Sequence, residues 1–187
     1  MLAITGASDG IGAEVARAAV ADGWRVVLAA RRRALLDALA DELGGPAHAV
    51  AVTADVTEWD DVQAIPEAAL STFGRLDGVL ANAGFGAKRG FLNESPEFWQ
   101  SMVLTNVYGA ALTLRACIPA LTEAKGHVML MGSRAAGGFG LVFPELEGQP
   151  AFDGVEAVLD KDTACRVHDL PADREADVVV IAESDTC

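Results

Sequence analysis

The chain has 187 residues, 51% of them hydrophobic, and carries a formal net charge of −13. This length and apolar content predict one globular α/β domain whose sheet is covered by helices. The charge excludes nucleic acid as a partner, because no basic face offsets the repulsion of phosphates.

The cysteines and histidines predict neither a disulfide scaffold nor a metal site. Cys117, Cys165 and Cys187 are odd in number and widely spaced, and the three histidines share no metal-ligand spacing. No apolar run approaches the ~18 residues of a membrane span, and no basic segment precedes an apolar core at the start. We therefore expect a cytoplasmic protein that does not bind a membrane.

The first predicted strand, Leu2-Ala3-Ile4, leads into Thr5-Gly6-Ala7-Ser8-Asp9-Gly10-Ile11-Gly12 and then a helical pattern. A glycine turn followed by a helix N-terminus offers N–H groups and partial positive charge to a dinucleotide pyrophosphate. Such a glycine triplet also occurs in plain loops, but the strand before it and the helix after it favour cofactor binding. The cofactor-binding residues predicted here are Gly6, Ser8, Asp9, Gly10, Ile11 and Gly12.

Strand-like and helix-like runs alternate after this turn. Strands are predicted at residues 24–30, 47–53, 79–81 and 127–131, and helices at 35–43, 62–73 and from Ser95-Pro96 to about 124. Pro66 should kink the middle helix or delay its start. The alternation predicts a doubly wound parallel α/β sheet of the Rossmann type, truncated at its C-terminal side.

The run T-G-x-x-x-G-x-G, with Asn82-Ala83-Gly84 some seventy residues later, resembles the short-chain dehydrogenase/reductase family. The resemblance extends from Met1 to about Gly138. It implies hydride transfer between a nicotinamide cofactor and a small-molecule carbonyl or alcohol. It also implies the strand order 3-2-1-4-5, with the cofactor across the switch point, and assembly into homo-oligomers.

The residues after the second strand predict which cofactor is used. Ala30 stands where NAD-binding members usually carry an acid, and Arg31, Arg32 and Arg33 follow it. A 2′-phosphate needs a cation, so the arginines favour NADP(H) over NAD(H). The alternative is a solvated basic start to the next helix, although cations there oppose the helix dipole. Asp9 argues against NADP(H), because many NADP-preferring relatives place a base at that position.

Two further pairs match the cofactor-binding positions of the family. Asp55-Val56 matches the pair that contacts adenine, although an isolated Asp after a strand could equally cap the next helix. Asn82, Ala83 and Gly84 end the fourth strand, where small residues let the backbone pass beneath the cofactor. In relatives the asparagine also stabilises the central sheet.

Asn106 and Ser133 are the predicted catalytic residues. Asn106 shares an apolar helical stripe with Trp99, Val103 and Cys117, so its amide should have a specific partner. The matching family residue holds a water in a proton relay; the alternative is a structural asparagine. Ser133 follows the fifth strand and matches the family's serine, which hydrogen-bonds the substrate carbonyl or hydroxyl.

The proton donor of the family is missing from its expected place. Relatives carry Tyr-x-x-x-Lys about a dozen residues beyond the serine, whereas residues 143–150 read F-P-E-L-E-G-Q-P and the next lysine is Lys161. Glu145 or Glu147 is a conceivable replacement, but a solvated carboxylate with a pKa near ~4.3 is a poor proton donor at neutral pH. We therefore expect activity to be absent or very weak.

Residues 141–187 differ from residues 1–140 in charge as well as pattern. They hold 12 acids and 3 bases, whereas the first 140 residues hold 15 acids and 11 bases. We divide the domain accordingly into a dinucleotide-binding core, 1–140, and an acidic divergent segment, 141–187. The segment is predicted to be loop with one short helix around Val155 and Leu159, then a strand at 177–182.

Three interpretations of the function stay open. The leading one is an NADP(H)-dependent oxidoreductase impaired at its proton donor, and the second is a non-catalytic NADP(H)-binding module. The third is a truncated or frame-altered reading of a longer gene. A methyltransferase is disfavoured, because it needs an acid where Ala30 and Arg31 stand. An unpaired apolar edge at 178–181 would recruit other chains, so orderly oligomers are not expected.

Overall fold

A computed structural model describes residues 1–86, 91–132, 141–142, 155–160 and 178–182. Two compact units divide the chain, Met1–His127 and Val128–Cys187.

The first unit is built on a parallel sheet. Its strands are β1 (Leu2–Thr5), β2 (Val26–Ala30), β3 (Ala49–Thr53) and β4 (Gly78–Ala81). β1 pairs with β2 and β4, and β2 pairs with β3, all in parallel, giving the order β3-β2-β1-β4. This confirms the first four positions of the predicted order. The chain adds β2 and β3 on one side of β1 and then β4 on the other side. In open α/β sheets of this kind a crevice lies at such a switch point, here between the carboxyl ends of β1 and β4.

Helices connect these strands. They are α1 (Gly10–Ala21), α2 (Arg33–Glu42), α3 (Trp59–Phe73), α4 (Pro96–Val103) and α5 (Ala110–Ala124). Right-handed crossovers that travel in opposite directions along a sheet fall on opposite faces. α1 and α2 therefore cover one face of the sheet, while α3 covers the other and packs against α5.

Buried strands and helix stripes form the core of this unit. Val26, Val27 and Leu28 of β2 are completely buried, as expected for a parallel strand covered on both faces. Val62 and Ile65 of α3 are buried equally deeply. Pro66 is also buried within α3, which begins seven residues before it and continues past it, so the expected delayed start is wrong.

α4 and α5 are joined by a π-helical segment, Leu104–Gly109, into one helical run. The predicted start is confirmed, because the Ser95 hydroxyl accepts from Phe98 N at 3.2 Å and Pro96 takes the first helical position. Pro96–Ala124 passes the length and composition test for a membrane span, contrary to our expectation that no run approaches one. Cys117 and Leu121 of this run are nevertheless buried in the first unit, and core helices pass the same test.

The second unit contains antiparallel pairs. β6 (Leu141–Val142) and β7 (Val155–Asp160) both pair with β8 (Val178–Ala182), and Met129 of β5 (His127–Leu130) pairs with Val142. The strand expected at 177–182 is confirmed. The short helix expected around Val155 is wrong, because that segment is a strand held by β8. β8 is paired on both sides, so it is not the open edge that we expected.

The turn after α5 generates a prediction about stability. Lys125 has φ 55°, a left-handed conformation that costs a side chain about 1–2 kcal/mol, and Gly126 follows it. We expect Lys125→Gly to stabilise the first unit by about 0.5–1 kcal/mol, after the larger unfolded-state entropy of glycine is subtracted. Chemical denaturation with a fixed m-value would measure the gain.

Gly126→Ala supplies the opposite control. A Cβ at Gly126 would collide with the backbone carbonyl of Asp77, which also accepts from His127 N at 2.8 Å. This variant should lose stability, while alanine at Gly23, where a Cβ meets nothing within 4 Å, should be strained only by its positive φ. A Lys125→Gly protein no more stable than the parent would contradict the left-handed assignment.

Candidate functional site

The glycine turn links the buried strand β1 to α1. Gly6 and Gly10 have φ values of 67° and 56°, in the left-handed region that favours glycine. A Cβ at Gly12 would lie 2.5 Å from the Gly6 carbonyl oxygen, so the first turn of α1 fits on the turn only without a side chain. At Gly10 an added Cβ meets nothing within 4 Å, which leaves open space beside the start of the helix.

Thr5 and Asn82 tie this turn to the end of β4. The buried Thr5 hydroxyl accepts from Asn82 N at 3.0 Å and from Ala83 N at 3.1 Å. In return, Asn82 Nδ2 donates to the Thr5 carbonyl at 3.0 Å and approaches the Gly6 carbonyl at 3.4 Å. The two strand ends that flank the crevice are therefore held by hydrogen bonds in both directions.

Asp9 caps α1, and Arg32 lies over the same turn. Asp9 Oδ1 accepts from Gly10 N at 2.8 Å. Arg32 immediately precedes α2 and donates from Nε and Nη2 to the Ser8 hydroxyl at 3.2 and 3.0 Å. Arg32 Nη2 is also 3.6 Å from Asp9 Oδ2. Ile11, in the first turn of α1, is exposed.

Arg31 points to the loop after β3. Its Nη1 lies 3.7 Å from Asp55 Oδ2, and the Arg31 side chain is 72% exposed. Asp55 Oδ1 accepts from both the backbone and the hydroxyl of Thr57. Partial burial opposes ionisation of Asp55, but the bonds from Thr57 and the charge of Arg31 outweigh it and lower the pKa of this carboxyl. The N-cap of α3 is Glu58, so Asp55 closes the turn before the helix instead of capping it.

Val56 is buried at the crossing of this loop with the long helical run. A Cβ at Gly109 would lie 2.5 Å from Val56 Cγ2, so the helix approaches the loop closely only because residue 109 is glycine. Arg33, the third arginine, donates from Nε to both carboxylate oxygens of Asp37, one turn further along α2, at 2.8 and 2.9 Å. The arginine triplet is thus divided: Arg31 lies towards the loop after β3, Arg32 contacts the glycine turn after β1, and Arg33 lies on the helix surface.

Asn106 lies in the π-helical segment and holds the loop after β4. Its Oδ1 accepts from Phe85 N at 3.1 Å, and its Nδ2 donates to Phe85 O at 2.8 Å. A Cβ at Gly84 would lie 3.0 Å from Asn106 Oδ1, so a side chain there would press against this amide. The specific partner expected for this amide is therefore the Phe85 backbone. The stripe that predicted it is only partly buried, since Val103 is exposed and Cys117 is not.

The predicted cofactor residues all follow the carboxyl ends of β1, β2, β3 and β4, along one edge of the sheet. Ser133 lies outside the described residues, as do Glu145, Glu147 and Lys161, so Ser133 and Asn106 stay predictions as catalytic residues. Burial raises the pKa of the Cys117 thiol to about 12, which makes it a poor nucleophile. Among the described residues, no three potential ligands are grouped to hold a metal ion.

Two contacts of this site are not among the predicted ones. Thr5 is the first residue of the glycine motif, and its hydroxyl at a buried strand end needs partners, which is a signal for the tie to β4. The second is the aromatic contact beside Asn106, where Phe85 meets Phe98 edge-on with ring centroids 5.5 Å apart. The spacing of Phe85 from Phe98 carries no periodic signal, so only the fold joins them.

A cavity of about 480 Å³ in the first unit lies away from this crevice, at the amino ends of the strands. Its basic lining residues include Arg25, Arg75 and Lys125, which follow the C-termini of α1, α3 and α5. Cations at helix C-termini offset the helix dipoles, and Asp77, which also lines the cavity, pairs with Arg75 and with the Met1 ammonium, so the fold itself accounts for the presence of these charges. A smaller cavity of about 230 Å³ flanks the glycine turn between α1 and α2, lined in part by Ser8 and Asp9.

The sequence and the fold are similar to known oxidoreductases. A family model described as short chain dehydrogenase matches residues 1–142. The 11-beta-hydroxysteroid dehydrogenase 1A of Arabidopsis thaliana is 38% identical over 137 residues, which cover 71% of this chain and 39% of the plant protein.

Two crystal structures of other proteins show similarity over the same part of the chain. The 3-ketoacyl-(acyl-carrier-protein) reductase from Brucella melitensis, complexed with NADH, is 38% identical with a TM-score of 0.62, covering 65% of this chain and 50% of its own. The alcohol dehydrogenase from Thermococcus sibiricus, complexed with 5-hydroxy-NADP, is 30% identical with a TM-score of 0.63, covering 73% and 62%. The chain thus spans about two fifths to three fifths of these relatives.

The hydrogen-bonded tie between β1 and β4 generates a prediction. Thr5→Val keeps the shape of the side chain but leaves Asn82 N and Ala83 N without their acceptor, so we expect a loss of about 1–3 kcal/mol in unfolding free energy. Thr113→Val is the matched control, because Thr113 is equally buried but only donates to Gly109 O within its own helix. That change should cost under about 1 kcal/mol. Equal losses in the two variants, by chemical denaturation, would contradict a special role for Thr5.

Proposed function

The chain belongs to the short-chain dehydrogenase family, and we propose that it binds NADP(H) in preference to NAD(H) between the carboxyl ends of β1 and β4. Members of this family are oxidoreductases that act on small molecules. The proposed reaction class is hydride transfer between the cofactor and a carbonyl or alcohol, with turnover that is absent or severely weak.

The residues around the crevice fit a dinucleotide. Gly10 leaves open space beside the N-terminus of α1, where peptide N–H groups and the helix dipole favour a pyrophosphate. Because Gly6 and Gly12 carry no side chains, the turn packs directly against Asn82. This contact sets the distance between the N-terminus of α1 and the sheet. The glycine turn, Asp55 and the loop at residues 82–86 would together hold the cofactor along the edge of the sheet.

The placement of Arg31 and Arg32 is the observation that supports NADP(H). Both follow β2 and lie along the carboxyl edge of the sheet, where Arg32 contacts Ser8 after β1 and Arg31 approaches Asp55 after β3. A 2′-phosphate on the adenosine ribose would accept charge-assisted hydrogen bonds from these guanidinium groups. NAD(H) carries only a neutral hydroxyl at that position, so the arginines would contribute more to the affinity for NADP(H) than to that for NAD(H).

The proposed weakness of turnover comes from proton transfer. The bound cofactor would supply or take up a hydride at the substrate carbon. The substrate oxygen must gain or lose a proton in the same reaction, and relatives use the phenol of a tyrosine for this. The sequence has one tyrosine, Tyr108, which lies in the π-helical segment and is about half exposed. Without a positioned proton donor, Ser133 alone would hydrogen-bond the developing alkoxide.

A non-catalytic NADP(H)-binding module is the second candidate. It is favoured by the missing proton donor, since residues 143–150 read F-P-E-L-E-G-Q-P where the family carries its tyrosine and lysine. Both candidates predict cofactor binding, and only the oxidoreductase predicts turnover. For either function we propose a cytoplasmic location with no membrane partner, in keeping with the acidic charge and the dispersed cysteines.

We expect the chain to bind NADPH more tightly than NADH. The double variant Arg31→Ala/Arg32→Ala should remove the preference, at a cost of about 1.5–3 kcal/mol in NADPH binding free energy from lost charge-assisted bonds. Arg33→Ala is the matched control, because Arg33 is paired with Asp37 on the surface of α2 and should leave the preference unchanged. Calorimetric titration of each protein measures this, and equal affinities in the parent chain would refute the NADP(H) assignment.

We expect NADPH consumption with ketones and aldehydes to be undetectable or severely slow. A positioned proton donor contributes about 10²–10⁴-fold, and the members of a catalytic unit fail together when one is lost. The measurement is NADPH absorbance against a panel of carbonyl compounds, with Ser133→Ala as the control. Robust turnover that disappears in Ser133→Ala would show that another group donates the proton. Glu145, Glu147 and Lys161 would then be replaced in turn.

A further inference from the structure

We propose that the cavity at the amino ends of the strands is an anion site, which binds a small phosphate dianion, either inorganic phosphate or a phosphate monoester. The cavity belongs to the first unit and measures about 480 Å³. Its lining includes three cations and two acids, which are Arg25, Arg75, Lys125, Asp22 and Asp77. It lies at the edge of the sheet opposite the cofactor crevice, so this inference is independent of the proposed NADP(H) binding.

Backbone hydrogen bonds hold the strand ends beneath the cavity. Leu2 N donates to Arg25 O at 2.9 Å, which joins the start of β2 to β1. Asp77 N donates to Met1 O at 3.0 Å, and His127 N donates to Asp77 O at 2.8 Å. The side chains that line the cavity are therefore carried by the fixed edge of the sheet and by the helix ends beside it.

Two of the three cations have charge available for a ligand. Asp77 accepts from Arg75 Nε at 2.8 and 2.9 Å, so these two charges offset each other. Within the described part of the chain, Arg25, Lys125 and Asp22 form no ion pair. Two free cations thus face one free acid, and a phosphate would accept charge-assisted hydrogen bonds from both cations.

Aromatic side chains lie beside one of these cations. The guanidinium carbon of Arg25 lies over the Phe73 ring, 5.1 Å from its centroid. Stacking uses the face of the guanidinium group and leaves the N–H donors at its rim free for a phosphate. Trp24 also lines the cavity and is 43% exposed, so its indole offers an apolar surface to an organic group carried by the phosphate.

The backbone of Lys125 is a second, independent observation. Lys125 is the one non-glycine residue with positive φ among the described residues, at 55°, whereas the turns that end α1 and α3 place Gly23 and Gly74 in this region. The helix dipole favours a cation of any kind near this end of α5. A side chain in the left-handed region nevertheless costs more than a cation gains from an exposed helix end. Strained residues of this kind cluster at ligand sites, and a phosphate that needs the lysine charge explains its place here.

The experiment is titration of inorganic phosphate into the ¹⁵N-labelled chain at constant ionic strength. The backbone amide resonances of Gly126 and His127, beside the lysine, report on the cavity. We expect these resonances to shift with a saturable curve, because a phosphate would bind next to them. Constant ionic strength separates binding from general screening of the exposed charges.

Lys125→Gly is the decisive variant, because we expect it to stabilise the first unit while it removes the cation. It should weaken phosphate binding at least about fivefold, and weaker binding could not then be attributed to unfolding. Arg25→Met, which keeps an apolar stem beside Phe73, should weaken binding by a similar factor. Arg33→Ala is the matched control, since it removes one positive charge from the surface of α2, and it should leave binding within about twofold.

The source of the phosphate is distinguished by repeating the titration with phenyl phosphate. Binding at least about threefold tighter than that of inorganic phosphate would support the site and identify an organic monoester stacked on Trp24 as its ligand. Equal affinities would support the site and identify inorganic phosphate. The absence of a saturable shift with both probes, or equal weakening in Lys125→Gly and Arg33→Ala, would overturn the inference and leave the proposed function standing.

Discussion

The hydroxyl of Thr5 is the point on which the geometry of the crevice depends. It is buried at the end of β1 and accepts from two consecutive backbone N–H groups after β4. Parallel strands that diverge at a switch point have no ladder bonds beyond their last paired residues, so their ends are free to separate. The hydroxyl and the amide of Asn82 close that gap, and Gly6 and Gly12 allow the helix to approach without a clash.

The other loops of the site are each held by a residue from a different segment of the chain. Asn106 holds the loop at Phe85, and Gly109 lets the same helical run pack against Val56 in the loop after β3. Arg32 joins the start of α2 to the glycine turn. The positions of these loops are thus fixed by hydrogen bonds and packing within the chain itself.

Sequence patterns predicted those features of the structure that depend only on residues close together in the chain. The Ser95 cap is confirmed because it depends on residues within one turn of each other. Contacts between distant segments could not be predicted in this way. Nothing near Arg32 reveals that its partners are Ser8 and Asp9, 24 and 23 positions earlier, and nothing near Val155 reveals that β8 will pair with it. The apolar residues of a short run such as V-E-A-V-L-D fit both the helical and the strand period, so pairing with the distant strand β8 determined its structure.

The π-helical segment Leu104–Gly109 has a consequence for how the long helical run packs. The wider π-helical turn rotates all later side chains about the helix axis. The apolar faces of α4 and α5 therefore point in different directions. α4 turns Phe98 towards Phe85, while α5 turns Cys117 and Leu121 into the core beside α3. One continuous helical run therefore serves two different neighbours, the loop at Phe85 before the segment and the core beside α3 after it.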